Sequence, residues 1–108
     1  MIDSMKIITM NCRGLADTQK RRDVLNYLRS KSPAIVFLQD IHIDENGSDK
    51  ILMEWGLKGV VSPGTTNSRG VAILFNNNFE YTVQNSYTDQ TGNYIIVDAT
   101  SLIVEETV

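Results

Sequence analysis

The chain has 108 residues, of which 42% are hydrophobic and 21% are charged, so its composition is that of one globular domain and excludes a disordered protein. Its formal net charge of -3 argues against a standalone role in coating nucleic acid, a role that favours basic proteins. The single cysteine excludes an internal disulfide and favours a reducing, intracellular compartment, and no apolar run approaches the roughly 20 residues that span a bilayer, so no membrane partner is expected.

Eight secondary-structure elements are predicted along the chain. In order, they are a strand at 6–11, a helix from Asp17 or Thr18 to about Lys31, a strand at 34–38, a short helix from a cap at Ser48 to Trp55, and strands at 58–61, 70–75, 79–87 and 94–104. The run at 34–38 is apolar without alternation, which is typical of a strand covered on both faces. The first strand, helix and second strand form a βαβ unit with parallel strands, whereas short turns between the later strands favour an antiparallel meander. The predicted fold class is therefore α/β with a mixed sheet.

Two polar residues, Asn11 and Asp40, lie at the ends of the two parallel strands. Because parallel strands end at the same edge of a sheet, the crossover places an amide beside a carboxylate, where α/β sheets hold ligands. A carboxylate there can hold Mg²⁺, with water or phosphate oxygens completing the octahedron, and the amide can donate to phosphate. The alternative is structural, with Asn11 as a turn residue and Asp40 as a cap or solvated strand end.

Four segments resemble one known family, in that family's order. They are Ile8–Leu15, Val36–His42, Ser68–Leu74 and Gly92–Val97. The family is the endonuclease/exonuclease/phosphatase superfamily, and the resemblance is greatest to the apurinic-like endonuclease domain of non-LTR retrotransposons. Val36–His42 is similar to a motif in which an apolar strand precedes Gln-Glu and, two residues later, His.

This resemblance implies a four-layer αββα sandwich that hydrolyses phosphodiester or phosphomonoester bonds with Mg²⁺, or with Mn²⁺ in its place, and DNA as the partner. Asn11 matches the family's active-site Asn, which helps to bind phosphate and organise the metal site, and Asp40 matches its metal-binding Glu. Arg13 and Arg69 are candidate phosphate or DNA contacts. His42 is expected to pack just outside the site and orient the loop. A retroelement origin would imply a nuclear location.

The sequence departs from the family pattern in two ways. Asp40 stands where the family usually has Glu, so the metal would have to shift or bind through a water, which Mg²⁺ tolerates poorly. The chain ends at Val108, about halfway through the family's domain. Residues 1–108 are therefore expected to be a single partial domain, the N-terminal part of the endonuclease, without the family's catalytic Tyr region and closing Asp-His pair. Alone, it is expected to be inactive.

Other interpretations stay open. A non-catalytic half-fold or gene remnant would bind a partner, or associate with itself, through an uncovered apolar face. An unrelated doubly wound domain of response-regulator type would need further βα units after residue 57, where the sequence offers strands and short turns instead. Lys20, Arg21 and Arg22 form a basic cluster that either attracts nucleic acid or, more simply, is the solvated face of the first helix.

Overall fold

The computed structural model describes residues 6–56, 58–77, 81–89 and 92–101. Its elements are β1 (Ile7–Asn11), α1 (Thr18–Ser30), β2 (Ile35–Gln39), α2 (Glu45–Trp55), β3 (Gly59–Ser62), β4 (Val71–Phe75), β5 (Tyr81–Thr88) and β6 (Ile95–Ser101). Each predicted element is present and the α/β class is confirmed. The predicted strand positions at 79–80 and 102–104 lie outside the described residues.

Four strands form a mixed sheet in the order β1-β2-β4-β3. β1 and β2 are parallel, as the βαβ unit predicts, and β4 runs antiparallel to both β2 and β3. β5 and β6 pair antiparallel in a separate two-stranded sheet. The prediction of one continuous meander is therefore wrong, because β4 inserts between β2 and β3 and the described part of β5 pairs with β6.

The helices begin at aspartate caps. Asp17 precedes α1 and its carboxylate accepts a hydrogen bond from Lys20 N at 2.8 Å, as predicted. The second helix starts three residues before the predicted cap, because Asp44 accepts from Gly47 N at 3.0 Å and Ser48 lies within the helix. Gly47 has room there only without a side chain, since Ile43 Cγ2 lies 2.6 Å from the position of a Cβ.

The core lies between the two helices and one face of the four-stranded sheet. Its fully buried side chains include Leu25, Leu28, Val36, Leu38, Ile51 and Leu74. On the opposite face Ile7 is 53% exposed and Phe37 is 36% exposed, so the prediction that β2 is covered on both faces is wrong for the described structure. β6 lies near β3 and β4, and a pocket lined by Phe37, Tyr94 and Ile95 lies between β2 and the start of β6. The expected apolar face is thus present, and self-association through it stays a prediction.

Arg21 joins three parts of the fold. Although charged, it is only 5% exposed, so its interpretation as a solvated helix residue is wrong. Its guanidinium pairs with Glu54 of α2 through two hydrogen bonds of 2.6 and 3.0 Å, and Nη1 donates to the carbonyls of Leu15 and Ala16 at 3.0 and 3.1 Å. The hydrogen bond between the two side chains raises the pKa of Arg21 and lowers the pKa of Glu54, against the opposing effect of burial.

None of the helices in the described ranges is both long and apolar enough to cross a membrane.

We expect Arg21→Ala to lower the free energy of unfolding by about 2–4 kcal/mol, because it removes the donor from the partly buried Glu54 carboxylate and from two backbone carbonyls. Arg22→Ala is the control, since Arg22 is the exposed neighbour on the same helix, and a change within about 0.5 kcal/mol is expected. Urea unfolding followed by the fluorescence of Trp55 measures both. Equal losses would contradict the role of the Arg21–Glu54 pair.

The same comparison should depend on pH in one direction. Because the folded-state pKa of Glu54 lies below its unfolded value, the stability from this group is fully present above the unfolded pKa and is lost as the pH falls through the folded one. The difference between the wild-type chain and Arg21→Ala should therefore be largest near neutral pH and shrink in acid. A difference that grows on acidification would be the contrary result.

Candidate functional site

The carboxyl ends of β1 and β2 meet three loops at one edge of the sheet, which we call the rim. The rim comprises residues 11–17, 40–44, 63–70, 89 and 92–93. Its loops are joined through their backbones, because Ile41 N and His42 N donate to Gly70 O and Arg69 O at 3.0 and 2.8 Å. The loop after β2, which carries Asp40, is therefore fixed by the loop before β4.

Asn11 and Asp40 are neighbours at the rim. Asn11 is paired in register with Gln39, the residue before Asp40, and the carbonyls of Gln39 and Asp40 accept from Cys12 N and Gly14 N at 2.8 and 2.9 Å. The predicted placement at one edge is therefore confirmed, whereas the roles of both side chains stay predictions. The Asn11 side chain is exposed and has no hydrogen-bond partner in the described part of the chain.

The Asp40 carboxylate is paired with the imidazole of His42. Asp40 Oδ1 lies 2.6 Å from His42 Nε2, with the two side chains 39% and 22% exposed. The Nδ1 edge of the ring lies against Gly14, where a Cβ would sit 3.1 Å from His42 Nδ1. His42 is thus in contact with Asp40, a hydrogen bond that the sequence motif did not indicate, and its predicted role in orienting the loop stays a prediction.

Most of the non-glycine residues with positive φ angles in the described structure lie at the rim. Its non-glycine residues with left-handed φ angles are Arg13 at 51°, Asp40 at 55°, His42 at 53° and Arg69 at 62°. Among the described residues, Ser32 at the opposite end of the sheet is the one other case. Such residues cost roughly 1–3 kcal/mol each and tend to cluster at functional sites. Arginine has no strong preference for that region, so the sequence does not reveal the feature at Arg13 and Arg69, whereas aspartate and histidine adopt it more often than most residues.

A glycine contact closes the rim from the side of the hairpin. Gly92 has a φ of 78°, and its carbonyl accepts a hydrogen bond from Gly70 N at 2.9 Å. A Cβ on Gly92 would lie 2.7 Å from both Gly70 N and Pro63 O, distances that real side chains do not reach. Only glycine permits this approach, which ties the β5–β6 turn to the loop between β3 and β4.

The basic residues at the rim divide into two kinds. Lys20 Nζ donates to the carbonyls of Cys12 and Arg13 at 3.0 and 3.3 Å, so this lysine braces the loop after β1. The side chains of Arg13 and Arg69, the two predicted phosphate contacts, are exposed. They lie on two different loops of the rim, one after β1 and one before β4.

Cys12 lies beside Asn11 but is chemically inert. Its side chain is 6% exposed, and burial raises the pKa of the thiol to about 11; the nearby Lys20 opposes this and the charge of Asp40 adds to it. The thiolate, which is the reactive form, is therefore scarce at neutral pH.

The rim fits a hydrated divalent cation better than a closed metal cage. Within the described ranges, no three His, Cys, Asp or Glu side chains converge as ligands. Asp40 Oδ1 is occupied by His42, which leaves Oδ2 and the unpaired Asn11 amide at the rim. Mg²⁺ commonly takes one or two carboxylates and completes its shell with water and phosphate oxygens, so this donor set suits it.

The fold is that of an α/β protein with polar residues where two neighbouring parallel strands end. The sequence profile of the Endonuclease/Exonuclease/phosphatase family matches residues 8–102, and the chain belongs to this family. Its members are generally hydrolytic enzymes, so membership indicates a nuclease- or phosphatase-type function. The mixed four-stranded sheet with its two helices is consistent with part of this family's α/β sandwich.

Proposed function

We propose that the chain is the N-terminal, metal- and phosphate-binding part of a magnesium-dependent endonuclease of retroelement type. The observation that carries the proposal is the adjacency of Asn11 and Asp40 at the ends of two hydrogen-bonded parallel strands. Together these residues present one carboxylate and one amide to the same edge. Four sequence segments that resemble the retroelement endonucleases support the finer assignment, and all four lie within the family match.

Each residue has a distinct proposed role. Asp40 Oδ2 would hold Mg²⁺, or Mn²⁺ in its place, and the Asn11 amide would donate to a non-bridging phosphate oxygen. The bound cation would neutralise charge that develops on the phosphate. The exposed guanidinium groups of Arg13 and Arg69 would contact the DNA backbone, where arginine suits the paired oxygens of a phosphate.

A group to activate the attacking water is the part of the chemistry that these residues do not supply. The chain has one histidine, and its Nε2 is engaged by Asp40. Acid–base help is commonly worth about a hundredfold or more in rate. We therefore propose that the 108 residues bind metal and phosphate without hydrolysing DNA by themselves.

Asp40→Asn should weaken Mn²⁺ binding by at least about tenfold, because it removes the anionic ligand. Asparagine is the chosen replacement because it tolerates the left-handed φ of 55° at this position. The free Mn²⁺ signal in electron paramagnetic resonance measures binding without any reaction. Asp49→Asn is the matched control, since Asp49 is an exposed acid on α2. Equal affinities for Asp40→Asn and the wild-type chain would overturn the metal site.

Supercoiled plasmid incubated with Mg²⁺ should show no more nicking with the wild-type chain than with Asp40→Asn. The expected absence follows because the chain's one histidine is engaged by Asp40 and is not free to activate water. Agarose gel separation of supercoiled and open circular DNA is the measurement. Nicking by the wild-type chain that disappears in the variant would show that the 108 residues suffice for hydrolysis.

Arg13→Asn and Arg69→Asn should each lower the salt dependence of binding to duplex DNA. One lost phosphate contact reduces the slope of log K against log salt by about 0.9. Fluorescence anisotropy of a labelled duplex gives the slope. Lys31→Asn is the control, because Lys31 is exposed at the end of α1 that faces away from the rim. Slopes that fall equally in all three variants would contradict a specific contact at the rim.

A further inference from the structure

We infer that His42 is a positioning residue that sets the direction of the Asp40 carboxylate. In this arrangement His42 Nε2 donates to Asp40 Oδ1 at 2.6 Å, which leaves Oδ2 as the oxygen presented to a cation. The inference rests on the proposed metal-binding function and adds a residue that acts through Asp40 without touching the cation or the phosphate.

The Asp40 carboxylate needs a hydrogen-bond partner to fix its direction. An aspartate carboxylate has two torsions between the backbone and its oxygens, and its outer torsion is broad rather than confined to narrow wells. Asp40 is 39% exposed in its side chain, so burial alone does not restrict it. A hydrogen bond to one oxygen removes that freedom and makes the two oxygens different, one paired and one open.

The imidazole is itself held in orientation from two directions. The backbone N–H of His42 donates to Arg69 O at 2.8 Å, which fixes the position from which the side chain starts. The Nδ1 edge of the ring lies against Gly14, where no side chain intervenes. With both positions fixed, Nε2 points to Asp40 and not to solvent.

The loop does not need the imidazole to keep its shape. Besides the backbone bond of His42, Ile41 N donates to Gly70 O at 3.0 Å and Gly64 N donates to Ile43 O at 2.9 Å. These bonds survive any change of the His42 side chain. A variant that lacks the ring should therefore keep the rim backbone and lose only the constraint on Asp40.

Two uncharged substitutions separate positioning from a structural role. The amide nitrogen of Gln lies as many bonds from Cβ as His Nε2 does, so His42→Gln keeps a donor near Asp40. The amide nitrogen of Asn lies one bond closer to Cβ, so the donor in His42→Asn falls short of the position of Nε2 beside Asp40. Backbone strain predicts the opposite order, because Asn tolerates the left-handed φ of 53° better than Gln.

The full chain and the variants are titrated with Mn²⁺ alone by electron paramagnetic resonance, beside Asp40→Asn. We expect His42→Gln to bind within about threefold of the wild-type chain and His42→Asn to bind roughly 10–100-fold more weakly, the usual cost of losing a hydrogen bond to a metal ligand. Thermal melting without metal should rank Asn equal to or above Gln. Equal Mn²⁺ affinity in the two variants, or an order that follows their melting temperatures, overturns the inference.

A metal-free measurement keeps this test separate from the proposed function. The chain has one histidine, so its long-range ¹H–¹⁵N spectrum is unambiguous. Because Nε2 donates to the Asp40 carboxylate, a proton is expected on Nε2 in the wild-type chain. A proton on Nδ1 alone overturns the positioning role even if Mn²⁺ binds. An Nε2 proton together with Mn²⁺ affinity no greater than that of Asp40→Asn supports the pairing of His42 with Asp40 and refutes the metal site.

Discussion

The parallel pairing of β1 with β2 is the constraint on which the rest of the structure depends. It places Asn11 opposite Gln39, one residue from Asp40, and so brings two distant parts of the chain to one edge. The crossover that makes this pairing possible is α1, which buries Leu25 and Leu28 against the sheet. The Arg21 guanidinium then fixes α1 to α2 and to the loop after β1. Leu25, Leu28 and Arg21 thus hold the site in position, although none of these three residues belongs to the site.

The rim shows how this support is used. Four of its non-glycine residues adopt left-handed backbone angles, and each costs roughly 1–3 kcal/mol. Backbone hydrogen bonds between the loops after β2 and before β4 hold them there, together with the close contact of Gly70 and Gly92. The strain falls on the residues with proposed roles: Asp40, His42, Arg13 and Arg69. The rest of the described structure is nearly free of it, which agrees with a site shaped for binding.

The elements whose residue pattern is local could be predicted from the sequence. Contacts between residues far apart in the chain could not. The apolar run before Asp40 and the amphipathic first helix predicted the βαβ unit, and with it the placement of Asn11 beside Asp40. Arg21 was misread because an arginine on a helix resembles a solvated residue until the position of Glu54, 33 residues later, is known. The cap of α2 was misplaced at Ser48 because Asp44 and Ser48 are both good caps, and only the bond to Gly47 N decides between them. The His42–Asp40 bond joins two residues with left-handed backbone, and although Asp and His adopt that backbone more often than most residues, nothing in the sequence pairs these two side chains.

The contact between Gly70 and Gly92 is one of several that join the backbones of the rim loops, from which the predicted phosphate contacts extend. Hydrogen bonds of 2.7–3.0 Å join the main chains of neighbouring rim loops, so a shift of one loop is passed to the next. The exposed Arg13 and Arg69 lie on two of these loops. The backbone bonds therefore set the spacing between the Cα atoms of the two arginines, and with it the span of molecule that both could contact at once.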